Sequence, residues 1–229
     1  MIDAVSWHSR IAHDFDAKYV SNPAFLERLR VWDGMVERYT DSQADVLDAG
    51  CGSGVLSALA ARRARTVLGF DASAEMVALA EARRCKARMD NTKFIVSSLE
   101  DATLLSGSSF DLIMCSSVLE YVEDYWRVFD WFAKSLKKSG VIIFSMPNGA
   151  SFYRKTERLV FALTGRPPYY AHVRHVPSLN EVRTGLAARN FEVVEFHYYA
   201  RAPVLSIVAR AAGRADLADN LFAVVCRRA

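Results

Sequence analysis

Val46-Leu47-Asp48-Ala49-Gly50-Cys51-Gly52-Ser53-Gly54 is the stretch on which the reading of this chain turns. The run ADVLDAG (44–50) has the apolar content of a buried strand and ends in glycine. A helical pattern over 53–63 follows directly, with Ser53 in a capping position. Glycines between a strand and a helix N-terminus let the backbone turn tightly and let a ligand approach it without Cβ collisions. A glycine turn that merely connects strand to helix is the plain alternative. A dinucleotide fingerprint G-x-G-x-x-G would need glycine at 55, where Val55 stands, and no Gly-Lys-Ser/Thr follows to make a P-loop. What remains is D-x-G-x-G-x-G. Asp48, two residues before the first glycine, would repel a pyrophosphate and attract an ammonium, which points to a ligand bearing an amino acid.

Outward from this loop the chain alternates short β-branched runs with helical patterns, as a parallel sheet covered on both faces does. TVLGF (66–70) ends at Asp71, 21 residues after Gly50, where an acid can accept two hydrogen bonds from a ribose diol. Then come helix 73–88, KFIVS (93–97), FDLIMC (110–115), an aromatic helix over 122–137 and SGVIIFSM (139–146). Helix 178–189, FEVVEFHYY (191–199) and LFAVVCRR (221–228) complete seven strands. Residues 1–40 read as helical, with Trp7, Ile11 and Phe15 on one face and then Phe25, Leu29 and Trp32. Two excursions interrupt the alternation, 150–177 and 202–214. The first is too long and too aromatic for a simple connection and reads as a substrate-facing lid, with Gly149 and Gly165 as flexible points.

The 229 residues suit a single domain, with 52% hydrophobic and 24% charged residues excluding a disordered chain. Cys51, Cys85, Cys115 and Cys226 form no CxxC pair, so neither a zinc ribbon nor a disulfide framework is expected. No apolar run approaches the roughly 18–20 residues of a membrane-spanning helix, and the N-terminus lacks a signal core. A reducing cytoplasm is the expected location. A net charge of +3 is too small to imply nucleic-acid binding. Its distribution is uneven: residues 1–149 hold 17 Lys and Arg against 20 Asp and Glu, and residues 150–229 hold 12 against 6. The C-terminal third therefore suits an anionic or amphipathic partner, or simply carries a solvated arginine-rich surface.

The glycine loop and Asp71 at these spacings resemble a class I S-adenosylmethionine-dependent methyltransferase, and the match runs from about residue 7 to 199. VLDAGCGSG resembles the first cofactor motif, GFDAS the second, FDLIMCSSVLEYV (110–122) the fourth-strand motif and SLKKSGVIIFSMPN (135–148) the fifth. The resemblance implies an α/β doubly wound, mostly parallel, Rossmann-like sheet of order 3-2-1-4-5-7-6 with strand 7 antiparallel. To this it adds an N-terminal helical cap (1–40) and an insertion after strand 5 (150–177). It implies S-adenosyl-L-methionine as cofactor, with Asp48, Gly50 and Gly52 at the methionine part and Asp71 at the ribose. Cys51, Ala72, Leu99 and Cys115 join the implied binding set, although Cys51 and Cys115 also read as small buried fillers. The family's acid for the adenine amino group is replaced here by Ser98, with Glu100, Asp101 or a backbone carbonyl able to serve instead. Tyr19, in WHSRIAHDFDAKY (7–19), could close over the cofactor. The passage His175-Val176-Pro177-Ser178-Leu179-Asn180-Glu181 resembles small-molecule enzymes of the ubiquinone-biosynthesis O-methyltransferase type. The frequent Leu-Glu-His of the fourth-strand motif reads Leu119-Glu120-Tyr121, so any role of that His does not transfer.

Methyl transfer from a sulfonium is an in-line displacement in which the protein aligns the reactants, excludes water and, where needed, removes a proton. His175, and after it His172, are the expected bases; a surface histidine on a loop is the plain alternative. The H-V-R-H spacing lacks a carboxylate cluster, and no metal is expected. Pro167-Pro168-Tyr169-Tyr170 falls about 50 residues after the fourth strand and lacks an Asn or Asp. It therefore argues against nucleic-acid base methylation. Arg154, Lys155 and Arg158 alternate with Phe152, Tyr153, Leu159, Val160, Phe161 and Leu163, a pattern that fits peripheral membrane contact, cover for an apolar substrate or a helix packed on its own domain. The expected activity is O-methylation of a small molecule by a monomer or homodimer. N-methylation of a small amine, kept open by Glu120 and Glu123, and a catalytically silent cofactor-binding subunit are the alternatives.

Overall fold

The near-continuous apolar runs become strands buried on both faces, as parallel strands flanked by helices must be. In the computed structural model, which describes residues 3–99, 107, 109–201 and 211–229, they are β1 (Asp45–Ala49), β2 (Thr66–Asp71), β3 (Thr92–Val96), β4 (Phe110–Ser116), β5 (Leu136–Pro147), β6 (Phe191–Arg201) and β7 (Asp219–Arg228). The sheet order is β3-β2-β1-β4-β5-β7-β6, with β7 antiparallel to both neighbours. This is the expected α/β doubly wound topology.

Successive residues serve opposite faces. Leu47, Ile113, Ile142 and Phe144 point to one core, completed by Phe129 and Phe132 of α6 (Tyr125–Ser135) and Val182 and Leu186 of α8 (Leu179–Ala187). Val46, Leu112, Ile143 and Val225 point to the other. There they meet Trp32, Met35 and Val36 of α3 (Pro23–Tyr39) and Leu56 and Leu59 of α4 (Val55–Ala61). Two shorter helices, α1 (Ala4–Arg10) and α2 (Ala12–Ser21), precede α3, and α5 (Ala74–Ala87) links β2 to β3. The segment after β5 forms α7 (Phe152–Thr164) and a 3-10 turn, Pro168–His172. Most of the second excursion, 202–214, lies outside the described residues.

Helix starts follow capping chemistry. Ser73 accepts the Met76 N–H, Asp124 accepts those of Trp126 and Arg127, and Ser178 and Glu181 form a capping box. The expected cap at Ser53 is corrected by the structure. The helix begins at Val55, Gly54 stands at the cap position with φ +74°, and the Ser53 hydroxyl lies 2.6 Å from Asp16 Oδ1. The loop must make a left-handed turn before the helix can start, and glycine makes that turn without steric cost. The aromatic helix is shorter than the expected 122–137, because Leu136 already pairs with Phe110 at the start of β5.

Gly185 on α8 lies against the Trp126 ring; a Cβ there would fall 1.9 Å from Trp126 Cζ2. The ring is also covered by the Arg189 guanidinium, 4.3 Å from its centroid. Replacing a helical glycine with alanine ordinarily stabilises by up to about 1 kcal/mol. At this site overpacking reverses the sign, and Gly185→Ala should lower urea-unfolding stability by about 1–3 kcal/mol. A gain in stability would contradict the packing described.

Candidate functional site

β1 carries Asp48 to the top of the sheet, where its side chain is 1% exposed and Ser57 Oγ donates to Oδ2 at 2.5 Å. Burial outweighs that bond and pushes the carboxyl up to about 6. Beyond Ala49 the backbone turns under β2: the N–H groups of Gly50 and Cys51 both donate to Phe70 O at 2.8 Å. A Cβ at Gly50 would sit 2.4 Å from Val118 Cγ2, so glycine there is a packing requirement. Gly52 differs. With φ +52°, its missing Cβ would meet nothing closer than Met76 Sδ at 4.0 Å, and the residue faces open space.

That space is a cavity of about 500 Å³. Asp71 stands on one wall, its Oδ2 accepting the Gly52 N–H and its Oδ1 the Ser73 N–H, each at 2.9 Å. One carboxylate therefore ties the glycine loop to the start of α5. Burial raises its pKa against the pull of these bonds. The cap helices close the opposite side. Tyr19 lines the cavity, packed edge-on against Phe25 with ring centroids 4.9 Å apart. Arg28 is buried; its Nη2 donates to Ser116 O at 3.0 Å, while its Nε has no hydrogen-bond partner among the described residues.

The cavity continues past the end of β4 to Glu120, Tyr121, His8, Trp7, Arg154 and Tyr169. Arg154 Nη1 donates to Glu157 Oε2 at 2.6 Å and to Tyr169 Oη at 2.8 Å, and Tyr169 in turn donates to Glu157. Glu120 is 3% exposed, its Oε2 lacks a partner among the described residues, and burial pushes its carboxyl up to about 7. His8 is held down to about 4, first by desolvation and then by His172, so it is neutral at pH 7.

The structure brings together Tyr19, Asp48, Gly50, Cys51, Gly52, Asp71, Ala72, Ser98 and Leu99 along this cavity. Cys115 is not among its lining residues; fully buried on β4, it packs with Leu47, Phe144 and Val224 as a core residue. Glu100 and Asp101 lie outside the described residues. His172 and His175 do not line the cavity either. His175 Nε2 lies 3.0 Å from Val122 O and 3.1 Å from Glu123 O, and its ring packs edge-on against Tyr125. These contacts fasten the segment after the 3-10 turn to the loop that bears Glu120. No group of three or more His, Cys, Asp or Glu able to hold a metal is found among the described residues. The sequence reading missed Arg28 and His8. An available signal was Arg28 one turn before Trp32 on an otherwise apolar helix face.

Asp48 yields a pH test. An acid whose pKa is raised on folding destabilises the folded state above that pKa and has no such effect below its unfolded value. Asp48→Asn should therefore gain stability over the parent as pH rises from about 4 to 6.5 in urea titrations without ligand, by up to roughly 3 kcal/mol. A difference independent of pH would contradict the burial described.

A family model described as a methyltransferase domain matches residues 22–196. Among curated relatives, the ubiquinone biosynthesis O-methyltransferase of Paracidovorax citrulli is 31% identical over 120 residues, covering 52% of this chain and 48% of the relative. The Vibrio campbellii enzyme of the same name is 32% identical over 120 residues, with the same shares. The chain thus spans about half the length of the curated relatives it matches. Magnesium protoporphyrin IX methyltransferase (ChlM) from Synechocystis PCC 6803, solved with bound SAH, superposes with a TM-score of 0.73 at 18% identity, over 98% of this chain and 97% of the other. The N-methyltransferase NodS from Bradyrhizobium japonicum WM9, in complex with S-adenosyl-L-homocysteine, gives 0.70 at 17% identity, over 99% of each chain. With a family match across most of its length and the sheet order to go with it, this chain belongs to the methyltransferase domain family.

Proposed function

We propose that the chain binds S-adenosyl-L-methionine in the cavity described and transfers its methyl group to an oxygen of a small molecule. The observation that carries this reading is the continuity of one cavity from the Asp71 carboxylate, past the glycine loop, to Glu120, Tyr121 and Arg154. The residues fit the cofactor in three respects. Gly52 opens onto space that a side chain would enter. Arg28 Nε is a buried donor in want of an acceptor, as a carboxylate would supply. Asp48 and Asp71 are acids placed for an ammonium and a ribose diol. Ser98 and Leu99 border the position for adenine, and Tyr19 covers the middle of the site. When bound, the cofactor supplies a methyl group on a sulfonium. The chain's own work is to hold the acceptor in line and keep water out.

An oxygen acceptor is supported by Arg154 at that end of the cavity, which suits an anionic or polar oxygen group, and by the names of the curated relatives. N-methylation is the second reading: the unpartnered Glu120 oxygen among Tyr121, Trp7 and Tyr169 would also suit a cation. In this reading, helices of 1–40 cap the cofactor and the segment 150–177 covers the acceptor within a single domain in the cytoplasm.

The helix α7 is inverted in polarity. Its buried position holds Glu157 and its half-buried ones Arg154 and Phe161, while Leu163 is 77% and Leu159 62% exposed beside Phe152, Tyr153 and Val160. With Lys155 and Arg158 on the same helix, it suits peripheral contact with an anionic membrane or an amphipathic substrate. No described helix is long and apolar enough to cross a membrane. The full chain should co-sediment with phosphatidylglycerol-containing vesicles, and L159D with L163D should abolish it. Equal sedimentation of both proteins would remove α7 from the account.

Calorimetry with S-adenosylhomocysteine tests the cofactor assignment. Asp71→Ala removes the ribose acceptor and the bond that orders Gly52, so affinity should fall at least about tenfold, given about 1.5–3 kcal/mol for a hydrogen bond to a charged group. A loss below about twofold would mean that the ribose is held elsewhere.

A further inference from the structure

Glu120 sits in the loop that leaves β4 through Ser117, whose φ is +55°. The loop is fastened from two sides. Ser117 N–H donates to Ser145 Oγ at 3.1 Å, and the N–H groups of Arg174 and His175 donate to Glu120 O at 2.8 and 3.3 Å. The backbone of this residue is thus fixed and the residue lines the cavity, while Oε2 of its side chain is buried without a partner among the described residues. A buried carboxylate oxygen left without a hydrogen bond is costly, so the group either holds a proton or meets a donor on the ligand. The charged and titratable groups that act on it are Arg28 from α3, Arg154 from α7, the adjacent Tyr121 and, on β4, Cys115. Both guanidinium groups already have partners, Arg28 in Ser116 and Arg154 in Glu157 and Tyr169.

We propose that Glu120 receives the proton of the acceptor hydroxyl during methyl transfer. The acceptor oxygen bonds to the methyl carbon as the carbon–sulfur bond of the sulfonium breaks, its electron pair remaining on sulfur. The hydroxyl proton passes to Oε2, leaving a neutral carboxyl that later loses the proton to solvent. This rests on the reading of an oxygen acceptor. Burial raises the Glu120 carboxyl to about 7, and a base is most effective at a pH near its own pKa. His8 lines the same cavity, but a group held down to about 4 does not keep a proton at neutral pH. His175 is engaged with the carbonyl oxygens of Val122 and Glu123, and its part is to position the Glu120 loop.

The test uses the full chain with S-adenosylmethionine and three acceptor probes, 4-methylcatechol, 3,4-dihydroxybenzoate and 4-hydroxybenzoate, with Glu120→Gln and Glu120→Asp beside the parent. The parent's kcat should rise with pH through about 7 to a plateau. Glu120→Gln should lose that limb and about 100-fold or more in kcat, with KM little changed. Glu120→Asp should keep the limb. Carboxyl-carbon NMR of the S-adenosylhomocysteine complex should show one resonance titrating near 7, absent from Glu120→Gln, and both variants should bind S-adenosylhomocysteine within about threefold of the parent. Undiminished turnover by Glu120→Gln, or no resonance titrating near 7 that Glu120→Gln removes, overturns the proposal while leaving the methyl-transfer reading intact. A parent that binds S-adenosylhomocysteine but methylates none of the probes overturns the oxygen-acceptor reading, and this proposal with it.

Discussion

The site exists because the chain between Ala49 and Val55 carries no side chain where three neighbours press on it. Val118 would meet a Cβ at Gly50 at 2.4 Å, and Ala80 and Phe94 would meet one at Gly54 at 2.9 and 3.0 Å. With those contacts satisfied by glycine, the loop lies flat across the end of β1, and the Gly52 N–H turns back to the Asp71 carboxylate. The Asp71 carboxylate thereby ties the loop, the end of β2 and the start of α5 together. The cavity above them is the space this arrangement leaves between the sheet and the cap helices.

Around that space the chain buries Asp48, Glu120 and Arg28 and half-buries Asp71 and Arg154, and taking each charge out of water costs free energy that hydrogen bonds only partly offset. The partners are uneven. Asp71 and Arg154 have two or more, whereas Arg28 Nε and Glu120 Oε2 have none among the described residues. A protein tolerates such groups where a ligand completes them, and the unpartnered atoms lie on residues that line the proposed methionine and acceptor ends of one cavity. The same reasoning accounts for the raised carboxyl pKa of Asp48 and Glu120 without recourse to strain.

Much of this was legible in the residues. The apolar runs around Val46, Leu112 and Ile142 mark strands covered on both faces, and Asp48, Gly50, Gly52 and Asp71, singled out by their spacing, line one cavity. Ser53 misled because a local capping preference competes with the left-handed turn at Gly54, and packing against Ala80 and Phe94 decides that contest. His175 misled for another reason. A histidine in an aromatic insertion looks like a base, but its partners are backbone carbonyls of a loop more than 50 residues away, which no local pattern reveals. Arg28 and His8 reach the cavity only through the way α1 and α3 fold back over the sheet. The position of Arg28 one turn before Trp32 on an apolar face was its one linear sign; the place of His8 is written in tertiary contacts alone.

The most direct measurement is a crystal structure of the full chain grown with S-adenosylhomocysteine. It should show the ribose hydroxyls on Asp71, the amino acid between Asp48 and Arg28, and the sulfur facing the space lined by Glu120, Tyr121 and Arg154. A ligand bound elsewhere, or bound with its sulfur turned away from Glu120, would contradict this arrangement.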